Sequence, residues 1–260
     1  MKCSSDTIRY LSSHDNSYIR YYRGHNAAVT TIALSPSSDN FISCSLDNTV
    51  RLWSLNSPNA SGLLKLHAPY LAAYDPSATV IAIASPPTQS ILLYDLRNYD
   101  KPPFASFDLQ QDEQRYMPGA AGRGWAKIEF SNDGKSLLVA TTGLGHFVLD
   151  AFDGALKHFC TRKSHSGRRA PGEFGGSGVT GQGDVCFSPD GRFLIGGSGD
   201  DGMLVWDVHT PSTPDHVLKS FTDLPGPGKA AVVGYNPHMN LICSADKELL
   251  IWLPDPDLGQ

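Results

Sequence analysis

The chain has 260 residues, a formal net charge of −5, 40% hydrophobic residues and 18% charged ones. That balance suits a globular protein of one or two domains. It excludes a disordered chain, a coiled coil and a protein that holds nucleic acid through its overall field. The longest uncharged run, 76–94, carries Pro86-Pro87 and several hydroxyls and does not read as a membrane span. Met1 is followed by no apolar h-region. The five cysteines are scattered without a C-x-x-C, so neither a disulfide framework nor a zinc site is expected. The reading is a soluble intracellular protein in which Cys44, Cys186 and Cys243 are small buried hydrophobes.

Two strand-like runs open the chain, 7–11 and 18–22, joined by the turn residues His14-Asp15-Asn16. From Gly24-His25 onward one unit of three short apolar or β-branched runs recurs. Its instances are 29–36, 41–45 and 47–53; 72–76, 80–85 and 91–95; 128–134, 137–141 and 147–150; 185–191, 193–198 and 204–207; and 232–237, 241–244 and 249–252. Asp133-Gly134 and Asp190-Gly191 mark hairpin turns between first and second runs. Anchored on Ser35, Asp75, Ser131, Ser188 and Asn236, the spacings are 40, 56, 57 and 48 residues. The longer ones imply loop insertions, placed at 110–124 and 160–182. No amphipathic helical stretch competes with strands.

Other motifs carry less. Gly176-Ser177-Gly178-Val179-Thr180-Gly181 has dinucleotide-fingerprint spacing, but a strand follows it where a helix is required. Gly226-Pro227-Gly228-Lys229 lacks P-loop spacing, and the nine histidines show no metal-ligand spacing, so no cofactor or metal is expected. Residues 162–169 pack four arginines and lysines into eight positions and read as a solvated basic loop, or as an electrostatic contact for nucleic acid or an acidic partner. No aromatic residue interleaves them, which argues against base stacking.

The repeat resembles the WD-repeat family over nearly the whole chain. Trp206-Asp207 is the full dipeptide, and Trp53-Ser54, Tyr94-Asp95 and Leu149-Asp150 are degenerate forms of it. The resemblance implies an all-β propeller whose four-stranded blades stack because none can bury both faces alone. It also implies a buried staple of a Gly-His histidine, a serine, an aspartate and the tryptophan. Ser45, Ser198 and Ser244 stand eight residues before Trp53, Trp206 and Trp252, and Asp47, Asp200 and Asp246 stand six before them. With His25, only the first of these blades has all four parts. Such repetition marks scaffolding rather than a hydrolase triad. Counting strands gives 21 where a seven-bladed ring needs 28. The expectation is therefore a single domain, 1–260, forming an incomplete seven-bladed ring of five blades plus two strands. Residues 1–23 are the last two strands of a preceding blade, with roughly 70 residues missing upstream. A smaller five- or six-bladed ring is the alternative.

Wording that propeller geometry does not dictate narrows the resemblance. It includes Asp6-Thr7-Ile8-Arg9-Tyr10-Leu11-Ser12, Tyr18-Ile19-Arg20-Tyr21, Tyr94-Asp95-Leu96-Arg97, Phe130-Ser131-Asn132-Asp133-Gly134-Lys135 and Trp252-Leu253-Pro254. Together these are similar to the WD-repeat subunit shared by COMPASS-type histone methyltransferase complexes and the cleavage-and-polyadenylation machinery. The resemblance implies a nuclear, non-catalytic adaptor that docks a Set-domain methyltransferase and other COMPASS subunits. It further implies links to transcription and to the phosphatase module of RNA 3′-end processing, with chromatin contacted indirectly and no sequence-specific nucleic-acid binding of its own. Loops entering the first strand of each blade would present Asn26, Tyr70, Arg123, Trp125, Gln182 and Lys229 to partners. Trp125 reads equally well as an interface anchor and as the first buried residue of its strand. Tyr94-Asp95-Leu96-Arg97 also resembles the motif of cullin-RING ubiquitin ligase receptors, which is the alternative function.

Overall fold

The computed structural model describes residues 2–4, 6–122, 124–162, 184–198, 202–226 and 230–253. They form small antiparallel sheets grouped in two compact units, Met1–Glu113 with Ala121–Arg123, and Gln114–Ala120 with Gly124–Gln260.

The first unit holds three sheets. The first contains β1 (Lys2–Ser4), β2 (Thr7–Leu11) and β3 (Tyr18–Tyr22), in that order. The segment before Gly24 thus contributes three strands rather than the two expected, because Lys2–Ser4 adds itself to the β2 edge. Three residues are too few to show a period-2 pattern, which is why the sequence hid it. The second sheet is β4 (Val29–Leu34), β5 (Asn40–Ser45), β6 (Thr49–Ser54) and β7 (Ala60–Lys65). The third is β8 (Leu71–Tyr74), β9 (Val80–Ser85), β10 (Ser90–Asp95) and β11 (Ala105–Asp108).

The second strands of the second and third sheets are buried almost continuously. In β5 every residue after Asn40 is buried, and β9 repeats the pattern. A strand reads this way when sheets cover both of its faces. Alternation then divides its side chains between two cores. Phe41 joins Ile8, Tyr22 and Trp53 against the first sheet, while Ile42 and Cys44 join Ile81, Ile83 and Tyr94 against the third. In the first core Tyr22 meets Phe41 edge-on at 4.9 Å and Phe41 stacks on Trp53 at 6.0 Å. Such aromatic pairs contribute about 0.5–1.5 kcal/mol each beyond the area they bury.

The 110–124 insertion contains a helix that the sequence reading did not expect, α1 (Gln110–Tyr116). Seven residues are too short to register as an amphipathic period. Glu113 on α1 is fully buried and accepts hydrogen bonds from the Gln89 side chain and, at 2.7 Å, from the Gly122 amide. Gly122 has φ +74° and lies so close to Pro86 that a Cβ would collide with the Pro86 carbonyl oxygen.

The second unit also holds three sheets. The first contains β12 (Trp125–Phe130), β13 (Ser136–Thr141), β14 (Gly145–Asp150) and β15 (Leu156–Thr161). The next contains β16 (Val185–Phe187), β17 (Phe193–Gly197) and β18 (Met203–Asp207). The chain then detours through β19 (Val217–Leu218), which pairs parallel to the outer edge of β15, before β20 (Thr222–Leu224) completes the sheet of β18. The last sheet is β21 (Val232–Asn236), β22 (Leu241–Ala245) and β23 (Leu249–Trp252). Leu138, Val148, Phe187, Leu194 and Trp206 fill the core between the first two sheets, and Cys186, Ile195, Met203 and Val233 fill the next.

Exposed large apolar side chains gather on the terminal sheets: Tyr18, Ile19 and Tyr21 on β3, and Leu249, Ile251 and Leu253 on or just after β23. Cys243 on β22 is correspondingly only partly buried, unlike Cys44 and Cys186. Its strand has one face among these uncovered residues, which corrects the expectation of a buried thiol.

Replacing Gly122 with alanine should cost at least about 2 kcal/mol, from the left-handed φ together with the carbonyl clash. Urea unfolding gives the size of the loss. Hydrogen exchange should show it concentrated in residues 110–122 rather than in β5 or β9.

Candidate partner-binding surface and its buried staple

Period 2 along β5 places Phe41, Ser43 and Ser45 on the face that meets Trp53. Trp53 pairs directly with Phe41, and Ser43 pairs with Arg51, so Ser43 is the diagonal neighbour of Trp53. Ser45 pairs with Thr49, four residues from Trp53 along β6, or about 13 Å away. Register therefore selects Ser43 for the staple, not the Ser45 expected from sequence offset. The Trp53 indole N–H donates to Ser43 Oγ at 2.8 Å, and Ser43 Oγ stands 2.7 Å from His25 Nε2. His25 Nδ1 then reaches Asp47 Oδ2 at 3.0 Å. Ser45 is buried but serves the backbone, donating to the Ala27 carbonyl at 3.0 Å and accepting from the Asp47 amide at 3.2 Å.

The protonation states follow from the surroundings. Burial lowers the His25 pKa below 6.5, against the raising effect of Asp47. For Asp47 burial works toward a higher pKa, but hydrogen bonds from Thr49, the Asn26 amide and His25 outweigh it and hold the group at about 2. At neutral pH the chain is thus Trp53 N–H to Ser43, Ser43 O–H to His25 Nε2, and His25 Nδ1–H to the Asp47 carboxylate. Each donor in this chain of bonds has an acceptor.

The other expected staples are incomplete. Ten residues before Trp206, where Ser43 stands relative to Trp53, the chain has Gly196. A Cβ there would press on Val185 at 2.9 Å. The Trp206 indole donates instead to the Thr161 carbonyl at 3.0 Å. Ser198 is buried and donates to the Gly202 carbonyl, and Asp200 lies outside the described residues. In the last sheet the register differs by two residues: Trp252 stands opposite Ile242, ten before it, where Trp53 stands opposite Phe41, twelve before it, and Ser244 falls on the diagonal. Ser244 accordingly accepts from Trp252 at 2.9 Å, as its offset suggested. Asp246 is exposed at the turn and takes no part.

Among the rim residues, Asn26 and Tyr70 are both exposed and stand at the same end of adjacent sheets. The Asn26 amide donates to Asp47 Oδ2 at 2.9 Å, which ties the rim to the staple. The Tyr70 carbonyl accepts from both Thr30 and Thr31 hydroxyls at 2.7 Å, which fixes the backbone beneath its ring. Trp125 is 4% exposed and opens β12 opposite Thr141, so it is a packing residue and not an exposed anchor. Arg123, Gln182 and Lys229 lie outside the described residues, as do 163–169 of the basic run. Arg162, the first of that run, is buried rather than solvated. It donates to the Thr141 carbonyl at 2.8 Å, and burial lowers its pKa to about 10. The Arg162 amide donates to the Leu144 carbonyl at 2.9 Å, which continues the β15 pairing and carries the side chain inward. No group of three or more metal-ligating side chains occurs among the described residues.

Two outcomes test the staple. Ser43→Ala strands both the indole N–H and His25 Nε2 and should cost about 2–3 kcal/mol in urea unfolding, against about 1 kcal/mol for Ser45→Ala. Acid should also weaken the fold in two stages. His25 has a folded pKa below 6.5, so the unfolded chain takes up its proton first and stability falls as pH drops beneath 6.5. Ionised Asp47 stabilises the fold above 3.8, and that contribution is lost as pH falls toward about 2. Unfolding midpoints measured across this range should flatten in their upper stage when His25 is replaced by glutamine.

The WD domain, G-beta repeat model matches residues 16–54 and 174–207. WD repeat-containing protein 82 of Drosophila melanogaster is 39% identical over 255 residues, covering 98% of this chain and 72% of that protein. COMPASS component SWD2 of Saccharomyces cerevisiae is 31% identical over 252 residues, 95% of this chain and 71% of its own length. Set1 complex component swd2 of Schizosaccharomyces pombe is 33% identical over 226 residues, 84% of this chain and 58% of its own. The stacked antiparallel sheets, the His25–Asp47–Ser43–Trp53 staple and this similarity agree: the chain is an all-β WD40-repeat β-propeller protein, and it belongs to the family that includes WD repeat-containing protein 82 and SWD2.

Proposed function

We propose that this protein is a non-catalytic adaptor subunit of a COMPASS-type histone methyltransferase complex in the nucleus. It docks the Set-domain methyltransferase and links it to transcription and RNA 3′-end processing. The observation that carries the proposal is similarity running almost end to end with relatives named as COMPASS and Set1 complex components. Sheets packed against one another within each unit, with exposed rim residues, suit such a role, because pre-ordered elements lose little entropy when a partner binds. The Asn26–Tyr70 rim is the docking surface. Tyr70 supplies a large amphipathic ring on a backbone already fixed by Thr30 and Thr31.

Affinity purification of the tagged 260-residue chain from cells of its source, read by mass spectrometry, tests the role. A Set-domain methyltransferase and its companion subunits should be recovered, and Tyr70→Ala should lower that recovery about tenfold without moving the unfolding midpoint. Recovery of cullin-RING components in their place would replace the adaptor with a ligase receptor. Recovery of chaperones alone would reject both.

A further inference from the structure

The last sheet of the second unit is covered on one face only. Val233, Tyr235, Ile242 and Trp252 turn toward the core shared with β16–β18. Alternation puts the residues between them on the opposite face. There the register sets two cross-strand rows, Val232–Ala245–Leu249 and Gly234–Cys243–Ile251. Val232, Leu249 and Ile251 are 60%, 68% and 59% exposed, and no side chain that the three strands turn to this face is charged.

The strands β22 and β23 are apolar at successive positions, as β5 and β9 are, and strands of that kind have both faces covered. An apolar face left open marks an association surface. Whatever meets it must be flat, apolar and uncharged, and its own copy is all three. The second row also matches itself in shape. Gly234 is a hollow, since a Cβ built there would meet no atom within 4 Å. Ile251 at the other end of the row is a knob, and Cys243 stands midway. A two-fold axis along β22 sets β21 of one copy over β23 of the other. Each Ile251 then enters the hollow at Gly234 of the other copy, and the two Cys243 thiols face each other. The same axis brings the two β22–β23 turns together. Each carries both signs, Asp246-Lys247-Glu248, so Lys247 of one copy lies beside the acids of the other. Three strands about 4.8 Å apart and five residues of about 3.4 Å make a face about 14 Å by 17 Å. That is small beside the ~800 Å² each side of a lasting complex contributes, and it suits a reversible dimer better than a permanent partner.

We infer that the outer face of the β21–β23 sheet is the contact of a reversible two-fold dimer of this chain, closed by packing of that sheet against its own copy. The contact uses neither the staple nor the Asn26–Tyr70 rim, and it stands independently of the adaptor role.

Sedimentation velocity of the full 260-residue chain, under reducing conditions and from about 1 µM to about 300 µM, reads the dimer. One saturable step from monomer to dimer should appear. Ile251→Lys buries a charge in the contact and should weaken the dimer at least about tenfold. Gly234→Val separates the contact from the fold. Filling the hollow should weaken the dimer about tenfold, whereas a β-branched residue at an open strand position should hold or raise the monomer's unfolding midpoint. A short bismaleimide should link Cys243 to its counterpart in the second copy, because packed sheets lie only about 10 Å apart. The link should survive Cys3→Ser and be lost in Cys243→Ser. A chain that stays monomeric at the highest concentration, association that continues past the dimer, a dimer indifferent to both Gly234→Val and Ile251→Lys, or a link that forms without Cys243 would each overturn the inference.

Discussion

The indole N–H of Trp53 lies between two sheets where water does not reach, and the local structure is arranged around the need to satisfy it. An unpaired donor in such a place costs about 1–3 kcal/mol. Ser43 takes the indole proton, and its own hydroxyl then needs an acceptor, which His25 provides. His25 in turn needs a carboxylate on its other nitrogen, and Asp47 sits at the β5–β6 turn to supply it. Asp47 also receives the Asn26 amide, so the chain of dependence that starts in the core ends on the exposed rim. The geometry of that part of the partner surface is therefore inherited from a buried hydrogen-bond network.

Much of this was legible in the sequence because strand alternation and turn residues leave a strong periodic trace. His25, Asp47 and Trp53 could be named from the resemblance to WD repeats. Ser43 could not, since Ser43 and Ser45 share a face and only the pairing register tells them apart. The last sheet shows how sensitive that register is. A difference of two residues in the pairing brings Ser244, at an offset of eight, into the position Ser43 holds at ten. Counting from a tryptophan finds a face, and only the pairing across the hairpin finds the atom.

The remaining misses have a common physical cause, which is that short or tertiary-dependent features carry no period. Lys2–Ser4 and α1 are too brief to show one. Arg162 looked like the start of a charged loop, yet the backbone hydrogen bond from its amide to the Leu144 carbonyl carries it inside. Trp125 reads as an interface residue by type and is a core residue by position.

The parallel pairing of β19 with β15 has a consequence for how freely this protein can be altered. Several contacts hold the 208–221 detour in place, among them β19 itself, the Ser212 hydroxyl on the Lys157 carbonyl, the Phe159 amide on the His216 carbonyl, and the Tyr116 hydroxyl on the Asp215 carbonyl. A loop that looks dispensable is thus a hem stitched along the outer strand, occupying backbone groups that would otherwise recruit a stranger's strand. Shortening it would make the border adhesive as well as strip Leu218 from the core it packs against, so the segment guards solubility together with packing.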